Sequence, residues 1–148
     1  MSQPELTDQQ QQRIKRGLER MPFGRLLGIQ LESAERGMAT MSFEVNDSLK
    51  QNNGVLHGGA IASLIDTATA FAIIPLLKDG ETASTIELSI SYLRPLITGK
   101  VTCSALVRRE GKRIIALSAE VLDSEGNLAA TSLSTYMRLS KRPAIDDK

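Results

Sequence analysis

Tryptophan is absent from this 148-residue chain, and aromatic residues make up only 3% of it. Its interior must therefore rest on Leu, Ile, Val, Ala and Met, and the 41% apolar content supplies enough for one ordinary core. Cysteine is nearly absent as well. A lone Cys103 excludes an internal disulfide and a cysteine-rich metal site, which favours a reducing compartment. With His57 as the single histidine, the usual zinc ligand sets are also out of reach. Charge of one sign is lacking too. Lys and Arg number 18 against 17 Asp and Glu, so no global field draws the chain to nucleic acid or an anionic membrane. The most apolar stretch, Ala60 to Leu77, is interrupted by Ser63, Asp66, Thr67 and Thr69. A charge in its middle argues against a membrane span. The N-terminus has neither the basic start nor the apolar stretch of a signal peptide. No Gly-x-Ser-x-Gly elbow occurs, so a serine hydrolase triad has little support. The expectation is a soluble, cytoplasmic protein without metal or cofactor.

What is present divides the chain into an N-terminal helical segment (1–22), a main domain (23–140) and a polar tail (141–148). Residues 5–20 are polar and Gln-rich, with Thr7-Asp8 placed to cap a short helix and Met21-Pro22-Phe23-Gly24 to break it. A strand is expected from about Gly28 to Glu35, and a turn at Arg36-Gly37. Ala39, Met41, Phe43 and Val45 then alternate with polar residues as a half-buried strand does. A polar, Asn-rich loop runs from Asn46 to Gly54. From His57 to Leu77 apolar residues cover almost every side, which predicts a long buried helix. Four period-two runs follow. The first sets Ile86, Leu88, Ile90 and Tyr92 on one face and Thr85, Glu87, Ser89 and Ser91 on the other. Val101–Val107, Ile115–Val121 and the less regular Ala129–Leu139 complete the set, joined by turn-rich connections. A sheet with one apolar face, wrapped around the single apolar helix, buries both, giving an α+β domain. Exposed sheet edges make self-association a natural expectation.

The segment from Gln51 to Asp66 carries the chemistry. Asp66 lies about two turns into an otherwise apolar helix, where an unpaired carboxylate is costly. It is either a structural residue bonded to Ser63, Thr67 or Thr69, or a cleft carboxylate serving as base or nucleophile. His57-Gly58-Gly59 opens the helix. Free N–H groups, the positive dipole end and glycines that admit close approach suit a developing oxyanion. The plain alternative is that the glycines only join loop to helix. His57 reads as a loop residue bonded to backbone rather than a general base, and Cys103 reads as core.

This segment resembles the hotdog-fold thioesterases of the phenylacetate-pathway (PaaI-like) type, over roughly Phe23 to Leu139. The likeness rests on Asn53-Gly54-x-x-His57-Gly58-Gly59, then Leu64-x-Asp66-x-Ala68, and on Tyr92-x-Arg94-Pro95. It implies a curved antiparallel sheet around one long helix and a homodimer joined sheet edge to sheet edge, assembling further to a homotetramer. The active sites would lie at the dimer interface. It further implies that the Gly58 N–H polarises the thioester carbonyl and that Asp66 of the facing subunit is nucleophile or base. Gln51 would sit near the reacting acyl group, Thr85 would help place the attacking water, and Asn53, His57 and Gly59 would contribute to the substrate site. Arg108, Arg109, Lys112 and Arg113 cluster around the Glu110-Gly111 hairpin, where they would hold coenzyme A phosphates or else form a solvated hairpin. No aromatic platform accompanies them, so nucleic acid is not expected. The function implied is hydrolysis of an aryl-acetyl or short- to medium-chain acyl-CoA. A non-catalytic acyl-CoA-binding module and a hotdog dehydratase or hydratase are the alternatives, and Phe71, Ile74 and Leu88 are candidate linings of the acyl pocket.

Overall fold

The computed structural model describes residues 4–140; the tail expected at 141–148 lies outside them. Helix α1 spans Asp8–Glu19. Thr7 caps it reciprocally: its hydroxyl accepts from the Gln10 N–H at 3.2 Å, and the Gln10 side chain accepts from the Thr7 N–H at 2.8 Å. Pro22 then opens a second short helix, α2 (Pro22–Leu27), where only a break was expected. Proline needs no N–H partner at a first helical position. Gly28 ends α2 at φ 71°, the left-handed conformation glycine adopts without strain.

Strands β1 (Gln30–Glu35) and β2 (Met38–Glu44) form a hairpin. The long apolar stretch becomes α3 (Gly58–Ile73), tightened at its end into one 3₁₀ turn, Ile74–Leu76. Pro75 lacks the N–H that would continue an α-helix. The remaining strands are β3 (Glu81–Tyr92), β4 (Lys100–Glu110), β5 (Ile114–Leu122) and β6 (Leu128–Ser140). All pairings are antiparallel, in the order β1-β2-β4-β5-β6-β3, so β1 and β3 are the edges.

Helix α3 lies across one face of this sheet, as the α+β expectation requires. Leu64, Ile65, Ala68 and Ala72 are wholly buried beneath it, against Met41, Phe43, Val101, Cys103, Ile115, Leu117 and Val121 of the sheet. Each such Leu or Ile stabilises the fold by about 1.5–3 kcal/mol. Burial of α3 is not complete all round. Gly59, Ala62, Ser63, Asp66, Thr67 and Ala70 form an accessible stripe at helical spacing. Helix α1 covers the far end: a Cβ on Gly17 would touch the Phe71 and Ile74 side chains at 3.4 and 3.5 Å. Gln10 donates to Pro75 O at 2.7 Å, and Arg13 reaches Leu77 O and pairs with Asp79. Phe71 and Ile74 thus pack under α1.

A register shift in β3 sets which way Thr85 points. The bulge falls between Thr85 and Glu87, placing Ile86 outward and half exposed. Strict alternation would set Thr85 against Leu88 and Ile90. The bulge puts Thr85 on their side, facing α3.

Candidate active site

Asp66 sits on the accessible stripe of α3, partly buried. The hydroxyls beside it in sequence do not hold it. Ser63 donates to Gly59 O at 2.7 Å and Thr67 to Ser63 O at 2.7 Å, the usual back-bonding within a helix. Its partners come instead from the sheet. Thr85 of β3 donates to Asp66 Oδ1 at 2.7 Å, and the Tyr136 phenol of β6 lies 3.0 Å from the same oxygen. Thr85 and Tyr136 are direct cross-strand partners, so one rung of the sheet presents both donors to the helix. Tyr136 also lies 2.9 Å from Asp66 O and 2.9 Å from the Thr69 hydroxyl. Burial, and the Asp66 charge beside it, push the Tyr136 phenol well above its ordinary range, so it stays a donor. Sequence reasoning passed over Tyr136. The usable signal was a tyrosine on an inward-facing position of a strand, whose hydroxyl needs a buried partner.

The start of α3 is a second centre. His57 caps the helix: its Nδ1 accepts from the Gly59 N–H at 2.8 Å, so the neutral ring carries its proton on Nε2. This consumes the Gly59 amide. The Gly58 N–H, the first of the helix, has no acceptor among the described residues and points from the positive end of the dipole. Tyr92 lies over Gly58 and donates to its carbonyl at 3.0 Å. A Cβ on Gly58 would meet the Tyr92 side chain at 3.3–3.4 Å, so glycine lets the two pack this closely. Gln51, Gly58, Ile61, Tyr92, Arg94 and Leu96 line a cleft of about 390 Å³ there. Asn53 stands apart in the preceding turn, where its side chain accepts from the Val55 N–H at 3.3 Å.

The two centres are separated. Eight residues along a helix is about 12 Å, too far for one chain to set Gly58 and Asp66 on a single carbonyl. The basic hairpin is divided as well. Arg108 lies on the outer sheet face and donates to Ser118 at 2.6 Å, beside Ser89, Ser91 and Glu120. Lys112 and Arg113 line another cleft, of about 970 Å³, with Arg36, Lys78 and Arg138. Arg138 there is already bound to Glu81 and Glu110, both at 3.0 Å. Arg109, exposed and paired with Ala116 between β4 and β5, lines neither cleft, so the four basic residues do not converge on one point. Among the described residues no cluster of His, Cys, Asp and Glu could hold a metal.

Comparison with known proteins agrees with this architecture. The family model of the Thioesterase superfamily matches residues 53–130, which include Gly58, Asp66 and Thr85. The medium/long-chain acyl-CoA thioesterase YigI of Escherichia coli is 31% identical over 132 residues, covering 79% of this chain and 85% of that protein. The Saccharolobus solfataricus protein SSO1253 is 36% identical over 113 residues, covering 75% and 73%. Among solved structures, the E. coli PaaI protein from the phenylacetic acid degradation operon superposes with a TM-score of 0.85 at 26% identity, covering 93% of this chain and 98% of that one. The chain belongs to the thioesterase superfamily: it is a hydrolase with the hotdog fold, its antiparallel sheet packed on one central helix.

Proposed function

We propose that the protein hydrolyses acyl-CoA thioesters to free acid and coenzyme A, at a site that two copies of the chain build together. The observation that carries this reading is the pairing of an unengaged helix-terminal amide at Gly58 with a sheet-held carboxylate at Asp66, about 12 Å apart on one helix. A second copy removes the gap. Tyr92 touches Gly58 and Thr85 holds Asp66, both on the edge strand β3. Two β3 edges paired antiparallel about Leu88 and Ser89 set Tyr92 of one subunit opposite Thr85 of the other. Asp66 of the partner subunit then faces the Gly58 N–H. The twelve-residue edge has the length for this pairing. Association of such dimers into a tetramer, and a cytoplasmic location, belong to the same proposal.

In this arrangement the Gly58 amide polarises the thioester carbonyl and stabilises the tetrahedral oxyanion; one such donor is worth roughly 2.7–4 kcal/mol of barrier. Gln51 lines the same cleft beside the reacting acyl group. Asp66 either takes a proton from the attacking water or attacks the carbonyl to form a mixed anhydride, with the coenzyme A thiolate leaving. Thr85 spends its one proton on Asp66, so it can meet a water only as an acceptor. Lys112 and Arg113, with Arg109, remain the basic residues free to meet phosphates. The names of YigI and PaaI support aliphatic and aryl-acetyl acyl groups as the first to try. A dehydratase reading is disfavoured because its histidine would have to be His57, whose Nδ1 is held by the Gly59 amide.

The test is thiol release from a panel of aromatic and aliphatic acyl-CoAs by wild type and Asp66→Asn. Release abolished in a folded, oligomeric Asp66→Asn establishes the assignment. Release undiminished refutes the site, and no release from any substrate by wild type favours a binding module.

A further inference from the structure

We propose that Tyr136 is a positioning residue for Asp66, acting with Thr85 to clamp one carboxylate oxygen so that the other, Oδ2, is the oxygen that reacts. This rests on the assignment of Asp66 above and goes beyond it, to which oxygen works and what aims it.

The two oxygens of Asp66 are not equivalent. Oδ1 lies 2.7 Å from the Thr85 hydroxyl and 3.0 Å from the Tyr136 phenol. Oδ2 has no donor among the described residues, and it is not among the polar atoms sealed inside the protein. A carboxylate gripped at one oxygen from two strands cannot rotate about its terminal bond without losing both contacts. Oδ2 is thereby the oxygen left free on the partly buried Asp66.

Counting protons assigns Tyr136 its part. The phenol has one proton and three acceptors in reach: Asp66 Oδ1, Asp66 O and Thr69 Oγ1. Thr69 has its own backbone acceptors, Ile65 O at 2.9 Å and Asp66 O at 3.0 Å. A charged carboxylate is the strongest acceptor of the set, so the Tyr136 proton goes to Oδ1. The ring is only 2% exposed and enters from β6, so packing fixes the hydroxyl before any substrate arrives. Tyr136 and Thr85 share one rung, and the bulge at Ile86 begins just after it. The bulge thus lets Thr85 and Leu88 face the helix together while the rung keeps both donors on Asp66.

The experiment compares wild type, Asp66→Asn, Tyr136→Phe and a protein carrying 3-fluorotyrosine at position 136. Each is read for kcat, KM and the pH profile of kcat/KM on one acyl-CoA. Tyr136→Phe removes the hydroxyl and keeps the ring. It is expected to lower kcat about 10–100-fold, the range for a lost hydrogen bond to a charged group, with KM within about threefold. With one donor fewer on the carboxylate, the acid limb of kcat/KM is expected to move to higher pH. Fluorotyrosine is a stronger donor in nearly the same volume and moves that limb to lower pH. These opposite shifts are a signature that packing alone would not produce, and the fluorinated protein keeps the test open if Tyr136→Phe fails to fold. An inactive Asp66→Asn together with unshifted acid limbs in the Tyr136 proteins overturns this inference and leaves the thioesterase reading standing. An active Asp66→Asn, or an inactive wild type, overturns that reading and this inference with it.

Discussion

Gly58→Ala separates what α3 needs to fold from what its first amide needs to react. The new methyl would lie 3.3 Å from Tyr92 Cζ and 3.4 Å from both Cε1 and the phenolic oxygen. Those contacts are tight by a few tenths of an ångström. Tyr92 is the last residue of β3 and is 53% exposed in the single chain, so its ring can yield. Gly58 does not occupy the left-handed region, so alanine meets no backbone strain there. Replacing glycine in a helix gains at most about 1 kcal/mol of propensity, which opposes the crowding. Net stability should stay within about 1 kcal/mol of wild type, or roughly 2–4 °C in Tm for a chain of this size. Catalysis should suffer far more. If the Gly58 amide receives the carbonyl as proposed, a shift of Gly58 or Tyr92 to admit the methyl disturbs that donor, and losing an oxyanion donor costs about 10²–10³-fold in kcat. Gly59→Ala is the informative contrast. Its Cβ would fall 2.9 Å from His57 Nδ1 and displace the cap, with a stability cost of about 1 kcal/mol. Thiol release and thermal melts on both variants check the pair. A Gly58→Ala enzyme within threefold of wild type in kcat would show that this amide does not receive the carbonyl.

Cys103 should be silent toward thiol reagents in the folded protein, because burial pushes its thiol up to about 12; one equivalent should react only on unfolding, measured by absorbance with an aromatic disulfide. The Glu81 carboxyl is held below its ordinary 4.5 by the Lys78 N–H and then by the Arg138 guanidinium. A depressed folded pKa stabilises above about pH 4.5 and ceases to do so as pH falls through the lower folded value. Glu81→Gln should therefore lower Tm at pH 7 and make little difference at pH 3, by calorimetry. Replacing Arg109 and Arg113 with alanine should raise KM for an acyl-CoA about 3–10-fold and leave an acyl-pantetheine unaffected; equal effects on both substrates would remove the phosphate role.

Much of the fold was legible in local pattern. Capping residues at Thr7, period-two alternation in the strands and the apolar stretch after His57 each reflect forces acting over a few residues, and each element formed where expected within a few positions. The short helix after Pro22 was missed because proline both breaks one helix and starts another. The site was half legible. Gly58 and Asp66 stand out on one helix, since a buried-helix carboxylate and a glycine at a helix start are anomalies in their own neighbourhood. Their surroundings are not local. Thr85 faces Asp66 only because a bulge shifts β3 against β6, and Tyr136 meets them from seventy residues beyond Asp66. Ser63 and Thr67, nearer in sequence, are lost to backbone carbonyls. The basic hairpin reads as one cluster along the chain, yet Arg108, at a register shift in β4, lies on the outer sheet face, away from Lys112 and Arg113. The sequence by itself determined the order of elements, the buried helix and where on it the two candidate positions, Gly58 and Asp66, fall, because periodicity and helix ends are set by neighbours along the chain. Only the tertiary structure decided which side chains hold the carboxylate and that Gly58 and Asp66 stand apart in one chain, because register and bulges are settled by strands pairing across long separations.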